Sequence, residues 1–199
     1  MWGDIAIAFL LAFITAFVIT PYSIRLAKKV GAVDYPNDRR VNKKPMPRLG
    51  GLAVIAGFLI SAIYLIVTMR IENNIDFVTD GLGKKLLGSL LGAIILGITC
   101  YIDDVKGIKP LVKLAGQLVA AIIVVSFGLR IDNFTIPFKE NSIMINEVIS
   151  YILTIGWIVG ITNAINLIDG LDGLSSGITL IACISMLIIF SLNESPLIA

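Results

Sequence analysis

The chain has 199 residues, of which 57% are hydrophobic and 15% charged, with a mean hydropathy of +0.93. A soluble domain carries roughly 25% charged residues. The apolar residues here lie in runs near the roughly 20 that cross a bilayer core as a helix, which excludes an ordinary soluble protein. The net charge of +2 is small, and the positive residues flank apolar runs. That placement favours lipid headgroups or anionic phosphates over nucleic acid as partners.

Taken in chain order, the apolar runs predict an all-α, polytopic transmembrane bundle forming one domain. Its six spans fall at about residues 5–24, 49–69, 86–102, 111–129, 148–168 and 174–192. The first run is not a typical secretory signal, because no basic residue precedes it while Arg25, Lys28 and Lys29 follow it. Gly88 with Gly92, and Gly156 with Gly160, form GxxxG pairs of the kind that mark close helix packing. Between spans four and five, Ile131, Phe134, Ile136, Phe138, Ile143 and Ile145 alternate weakly. A short external β-hairpin and an irregular loop both fit that pattern.

Charge sets the expected orientation. The first, third and fifth loops with their edges hold eleven Lys/Arg residues, against five for the second and fourth. The excess puts the odd loops in the cytoplasm and the N-terminus outside.

The chain contains no histidine, and its two cysteines, Cys100 and Cys183, lie inside apolar runs as small hydrophobes. Any catalysis therefore rests on carboxylates, lysines or a metal held by oxygen. Suitable residues lie in the odd loops. The first reads DYPNDRRVNKKPMPRLGG over residues 34–51, with prolines that restrict it to extended and turn conformations. Its Lys43, Lys44 and Arg48 suit phosphate binding, although a purely topogenic basic loop would also explain the charge. The third span ends in Asp103-Asp104. Carboxylates are disfavoured at a helix C-terminus unless a cation is near, and adjacent helical side chains diverge by about 100°, so the two are expected to address different partners. Lys113 opens the fourth span, with Gln117 one turn further in. It is a candidate phosphate contact or counter-ion, or a lysine that snorkels to the interface.

The fifth span ends in NAINLIDGLDGL, residues 163–174. Asn163, Asn166 and Asp169 recur every third residue and are expected on one helix face, with Asp172 beyond the turn. Polar glue between helices suits Asn163 as well, but suits the aspartates poorly. Hard oxygen donors with open positions suit Mg²⁺, which typically takes one or two carboxylates plus substrate phosphates.

At these motifs the chain resembles the polyprenyl-phosphate N-acetylhexosamine-1-phosphate transferase superfamily, glycosyltransferase family 4. The resemblance runs along the whole chain and rests on the DD pair, NAINLIDGLDGL and the first loop. The segment PMPRLGG is similar to the teichoic-acid and O-antigen branch, whereas the related phospho-MurNAc-pentapeptide translocases read closer to TPTMGG.

The resemblance implies transfer of N-acetylglucosamine 1-phosphate, or a related N-acetylhexosamine 1-phosphate, from a UDP-sugar to undecaprenyl phosphate. UMP is released, and a lipid-linked cell-envelope polymer is started. It implies Mg²⁺, with Mn²⁺ as the alternative, and a bacterial plasma membrane with the site facing the cytoplasm. By the same carry-over Asp103, Asp104 and Asp169 are catalytic, and Asp104 and Asp169 hold metal. Lys43, Lys44, Arg48, Lys113, Asn163, Asn166 and Asp172 bind substrates. A homodimer is an open expectation.

Two departures stand out. Asn42 occupies a position where the family often has histidine. Family members are also longer, with later spans that carry a further magnesium ligand and a histidine-rich loop. The chain is therefore expected to be the N-terminal portion of a longer transferase, lacking full activity alone. The rival expectations are an inactive truncated scaffold and half of a secondary transporter.

Overall fold

The computed structural model describes residues 2–36, 44–73, 81–135, 142–171 and 173–192. Six helices and two small hairpins follow in the order α1 (Trp2–Val30), β1 (Val33–Asp34), β2 (Met46–Pro47), α2 (Gly50–Asn73), α3 (Gly81–Lys106), α4 (Pro110–Ser126), β3 (Asn133–Thr135), β4 (Ser142–Met144), α5 (Glu147–Ile168) and α6 (Leu174–Leu192). All six expected spans are helical. Five are long and apolar enough to cross a membrane, and α4, at 17 residues, is shorter. The chain is a multi-pass helical membrane protein. Large apolar side chains are exposed along every helix, as hydrocarbon-facing surfaces require.

Several helices outrun their apolar cores. α1 continues past residue 24 through Val30, so Arg25, Lys28 and Lys29 ride on its last turns and not in a loop. α3 carries Lys84 and Lys85 at its start and Asp103 and Asp104 in its last turn. Helices end where backbone chemistry ends them. Gly107, at φ 62°, is left-handed after α3, and its N–H closes on Asp103 O at 2.8 Å. Pro110 opens α4 at the first position, where its missing N–H costs nothing. The Asn146 side chain accepts from Val148 N at 2.9 Å to cap α5.

α1 packs on α2, α3 on α4, and α4 on α5. The α3–α4 seam explains the first GxxxG pair. A Cβ at Gly92 would collide with Val124, and one at Gly88 with Phe127. The second pair, Gly156 and Gly160, has nothing within 4 Å of such a Cβ among the described residues.

At the end that carries the odd loops, β1 pairs antiparallel with β2, Val33 opposite Pro47 and Asp34 opposite Met46. This makes the base of the first loop a hairpin stem. Ala27, Ala32 and Leu49 are buried beneath it, and Val30, Leu52, Tyr101 and Val105 pack against them. The stem is thereby seated against the last turns of α3.

At the opposite end β3 and β4 pair, with Phe134 opposite Ile143, which decides the segment between α4 and α5 in favour of a hairpin. Its turn, residues 136–141, lies outside the described residues. Here Arg130 bonds Asp132 and Glu147, each at 2.8 Å, and lies over the Tyr151 ring. Ile131 N donates to the buried Thr154 hydroxyl at 2.9 Å, and the Ser150 hydroxyl donates to Asp132 at 3.2 Å.

Candidate active site

The site grows from two helix ends that oppose one another. Asp103 sits at the negative end of the α3 dipole, and Lys113 sits in the first turn of α4, at a positive end; each charge is disfavoured where it stands. The short connection through Gly107 brings them together, Lys113 Nζ lying 2.8 Å from Asp103 Oδ2, with both side chains roughly four-fifths buried. Each thus supplies the charge that the other's helix end lacks. Lys113 Nζ also donates to Asn166 Oδ1 on α5 at 2.9 Å. One ammonium therefore ties the ends of three helices.

Asp104 is half-buried beside it and shares the Lys113 charge, but lies under the stronger influence of another cation. Arg48 is its strongest charged neighbour, followed by Asp103, Lys113 and Asp169. Arg48 reaches this position because its backbone N–H is fixed to Ala32 O at 3.0 Å and its Nε bonds Asp34 Oδ1 at 2.8 Å across the hairpin stem. The first loop's arginine is thereby held over the end of α3.

Asp169 ends α5 as its C-cap, with its N–H on Ile165 O at 3.1 Å, and its side chain is exposed toward the same end. One turn deeper than Lys113, Gln117 and Asn163 exchange amide hydrogen bonds: Asn163 Nδ2 donates to Gln117 Oε1 at 2.7 Å, and Gln117 Nε2 to Asn163 Oδ1 at 3.3 Å.

Of the expected site residues, Asp103, Lys113 and Asn166 are in direct contact, and Arg48, Asp104 and Asp169 are joined to them through charge. Asn163 faces the same partner helix one turn away from them. Lys44 is exposed at the edge of the first loop, while Lys43 and Asp172 lie outside the described residues. Among the described residues no group of three or more His, Cys, Asp or Glu is gathered tightly enough to hold a metal alone. The Asp34–Arg48 pair and the task of Gln117 are not evident from the sequence alone. The signal for Gln117 was present, namely an amide one helical turn from a lysine inside an apolar run.

Comparison with known proteins bears on this arrangement. The profile of glycosyl transferase family 4 matches residues 86–199, a stretch that includes Asp103, Asp104, Lys113, Gln117, Asn163, Asn166 and Asp169. A probable undecaprenyl-phosphate N-acetylglucosaminyl 1-phosphate transferase of Bacillus subtilis is 42% identical over 89% of this chain and 46% of its own length. A decaprenyl-phosphate N-acetylglucosaminephosphotransferase of Mycobacterium tuberculosis is 36% identical over 88% and 42%. A phospho-N-acetylmuramoyl-pentapeptide-transferase of Lactobacillus gasseri is 30% identical over 70% and 44%. The chain thus spans less than half the length of these relatives. No solved structure matches it. The family match covers more than half of the chain and every helix that carries the α3–α5 polar cluster, so the chain belongs to glycosyl transferase family 4.

Proposed function

We propose that the protein of which these residues are part transfers a hexosamine 1-phosphate from a UDP-sugar to a polyprenyl phosphate, with N-acetylglucosamine as the sugar and undecaprenyl phosphate as the acceptor. The observation that carries this reading is the Lys113 ammonium, set between Asp103 and Asn166 at the end of the bundle where Arg48, Asp104 and Asp169 also act. Phosphoryl transfer requires positioned cations around phosphate oxygens and little covalent work from the protein. In the reaction, an oxygen of the lipid phosphate forms a bond to the sugar-bearing β-phosphorus. The bond from that phosphorus to the bridging oxygen breaks, and its electron pair leaves with UMP.

In this reading Lys113 exchanges its contact with Asp103 for a substrate phosphate oxygen, while Arg48 and Lys44 draw the second phosphate toward the first loop. Asn166 and Asp169 face the nucleotide sugar. Asp104 and Asp169 are hard oxygen donors of the kind Mg²⁺ prefers, and two carboxylates completed by phosphates fit its usual coordination. Bound there, the ion would offset charge on the phosphates. The eleven-to-five excess of cations supports a cytoplasmic placement of this end.

The test is nucleoside monophosphate release from UDP-N-acetylglucosamine, with undecaprenyl phosphate and Mg²⁺, by the full-length protein in membranes. Release that requires the prenyl phosphate is expected. Absence of release, with the protein folded, would replace the transferase reading by that of a membrane scaffold.

A further inference from the structure

Gln117 stands apart from the other polar side chains of the bundle. It is 1% exposed, inside an apolar helix, and its amide is matched by a single side chain on the neighbouring helix. Asn163 is used up by the same contact. Its Nδ2 donates both to Gln117 Oε1 at 2.7 Å and to Val159 O at 2.8 Å, while its Oδ1 accepts from Gln117 Nε2. The pair forms the deeper of two rungs between α4 and α5. The other rung is Lys113 to Asn166 at 2.9 Å. The spacing of the two rungs is helical on both sides, since Lys113 and Gln117 are four residues apart and Asn163 and Asn166 three.

We propose that Gln117 and Asn163 are positioning residues. Their reciprocal amide bonds fix the register of α4 on α5, so that the Lys113 ammonium is held between Asp103 and Asn166. Asn163 therefore acts through Gln117 and makes no contact with the sugar nucleotide. This rests on the reading that Lys113 serves a substrate phosphate.

The physical case is one of directionality. Apolar side chains on α4 and α5 slide past one another at small cost. Two antiparallel amide bonds in a medium of low dielectric have one satisfied arrangement, and a shift of one helix leaves a buried amide unpaired. Lys113 has a long flexible stem, and its head stays in one place only if the backbone beneath it does. A displacement of about 1 Å at a reacting centre lowers turnover by roughly 10²-fold.

The experiment uses the full-length protein in membranes and compares Gln117→Leu, the milder Gln117→Asn, and the exchanged pair Gln117→Asn with Asn163→Gln. Two readouts are taken. One is turnover and KM for the nucleotide sugar. The other is the acetylation rate of Lys113, measured by mass spectrometry against the exposed Lys109 in the same sample. The expected result for either single variant is a kcat lowered about 10- to 100-fold, a KM for the nucleotide sugar within about threefold of the parent, and faster acetylation of Lys113. The exchanged pair, which conserves the summed side-chain length across the gap, is expected to bring both readouts back to within about threefold.

A folded Gln117→Asn with parental kcat and parental Lys113 acetylation overturns the proposal. So does an Asn163→Ala variant that raises KM for the nucleotide sugar at unchanged kcat, because that places Asn163 on the substrate. Acetylation needs no turnover, so the positioning claim is decided even if the transferase reading fails.

Discussion

The two ends of the bundle both carry polar networks that reach α5, one from the connection after α4 and one from α4 itself, and they differ in construction. At the β3–β4 end Arg130, Asp132, Glu147, Ser150 and Thr154 satisfy one another within a single connection, linking residues no more than 24 apart. They fasten a turn. At the other end Lys113 is joined to a carboxylate on the preceding helix and to an amide 53 residues away, and Asp104 stands near Arg48, Lys113 and Asp169. A network closed within one connection stabilises that connection, whereas in the reading proposed above the ammonium and carboxylates gathered from separate helices receive the substrates. The family match starts at residue 86 and takes in both networks, so the match alone does not tell them apart. The geometry does.

The contrast can be broken by mutation. The largest effect is expected at two carboxylates of the α3–α5 end, where Asp104→Asn and Asp169→Asn should each lower nucleoside monophosphate release by about 10²–10³-fold, the range seen when one charge-stabilising group is removed from a site. Parental rates in both variants would remove these residues from the chemistry. Next comes Lys113→Met, expected to reduce release by roughly 10²-fold. Its counterpart Arg130→Met should leave release within about twofold, and an equal loss in the two would erase the distinction between the ends.

The seam between the ends should respond in stability. Gly92→Val drives a side chain into Val124 and is expected to cost about 1–3 kcal/mol in thermal unfolding. Gly160→Val, with open space around it in the described residues, should stay within about 0.5 kcal/mol. Arg130→Met is expected to leave thermal stability close to the parent, because its ion pairs are solvent-exposed.

The contrast was partly legible in the sequence. Apolar runs gave the six helices, because hydrocarbon enforces length and backbone satisfaction. Their ends were harder to read. Lys84, Lys85, Asp103 and Asp104 look like loop residues by polarity, yet nothing in the chain stops the helix before Gly107. Loop parity brought Asp103, Lys113 and Asn166 to one end, and the rule that a carboxylate at a helix C-terminus needs a cation anticipated the Lys113–Asp103 contact. The prolines of the first loop announced extended backbone. They did not announce that Arg48 would be pinned to Asp34 across a two-strand stem, because that depends on Leu49 finding Ala27 and Ala32. The Gln117–Asn163 exchange was invisible for a similar reason: one-dimensional spacing shows which residues share a helix face, and the partner across the interface depends on how the helices pack.

The brevity of α4 has a consequence for the bilayer. Seventeen residues at 1.5 Å each give a rod of about 25 Å, some 5 Å less than a typical hydrocarbon core. Lipids beside so short a span are drawn thin. Where the bilayer thins in this way, the headgroup plane would come down toward the turn in which Pro110 begins the helix and Lys113 sits. If the prenyl phosphate proposed above is the acceptor, its phosphate would then meet the ammonium at its own depth, without being lifted out of the membrane.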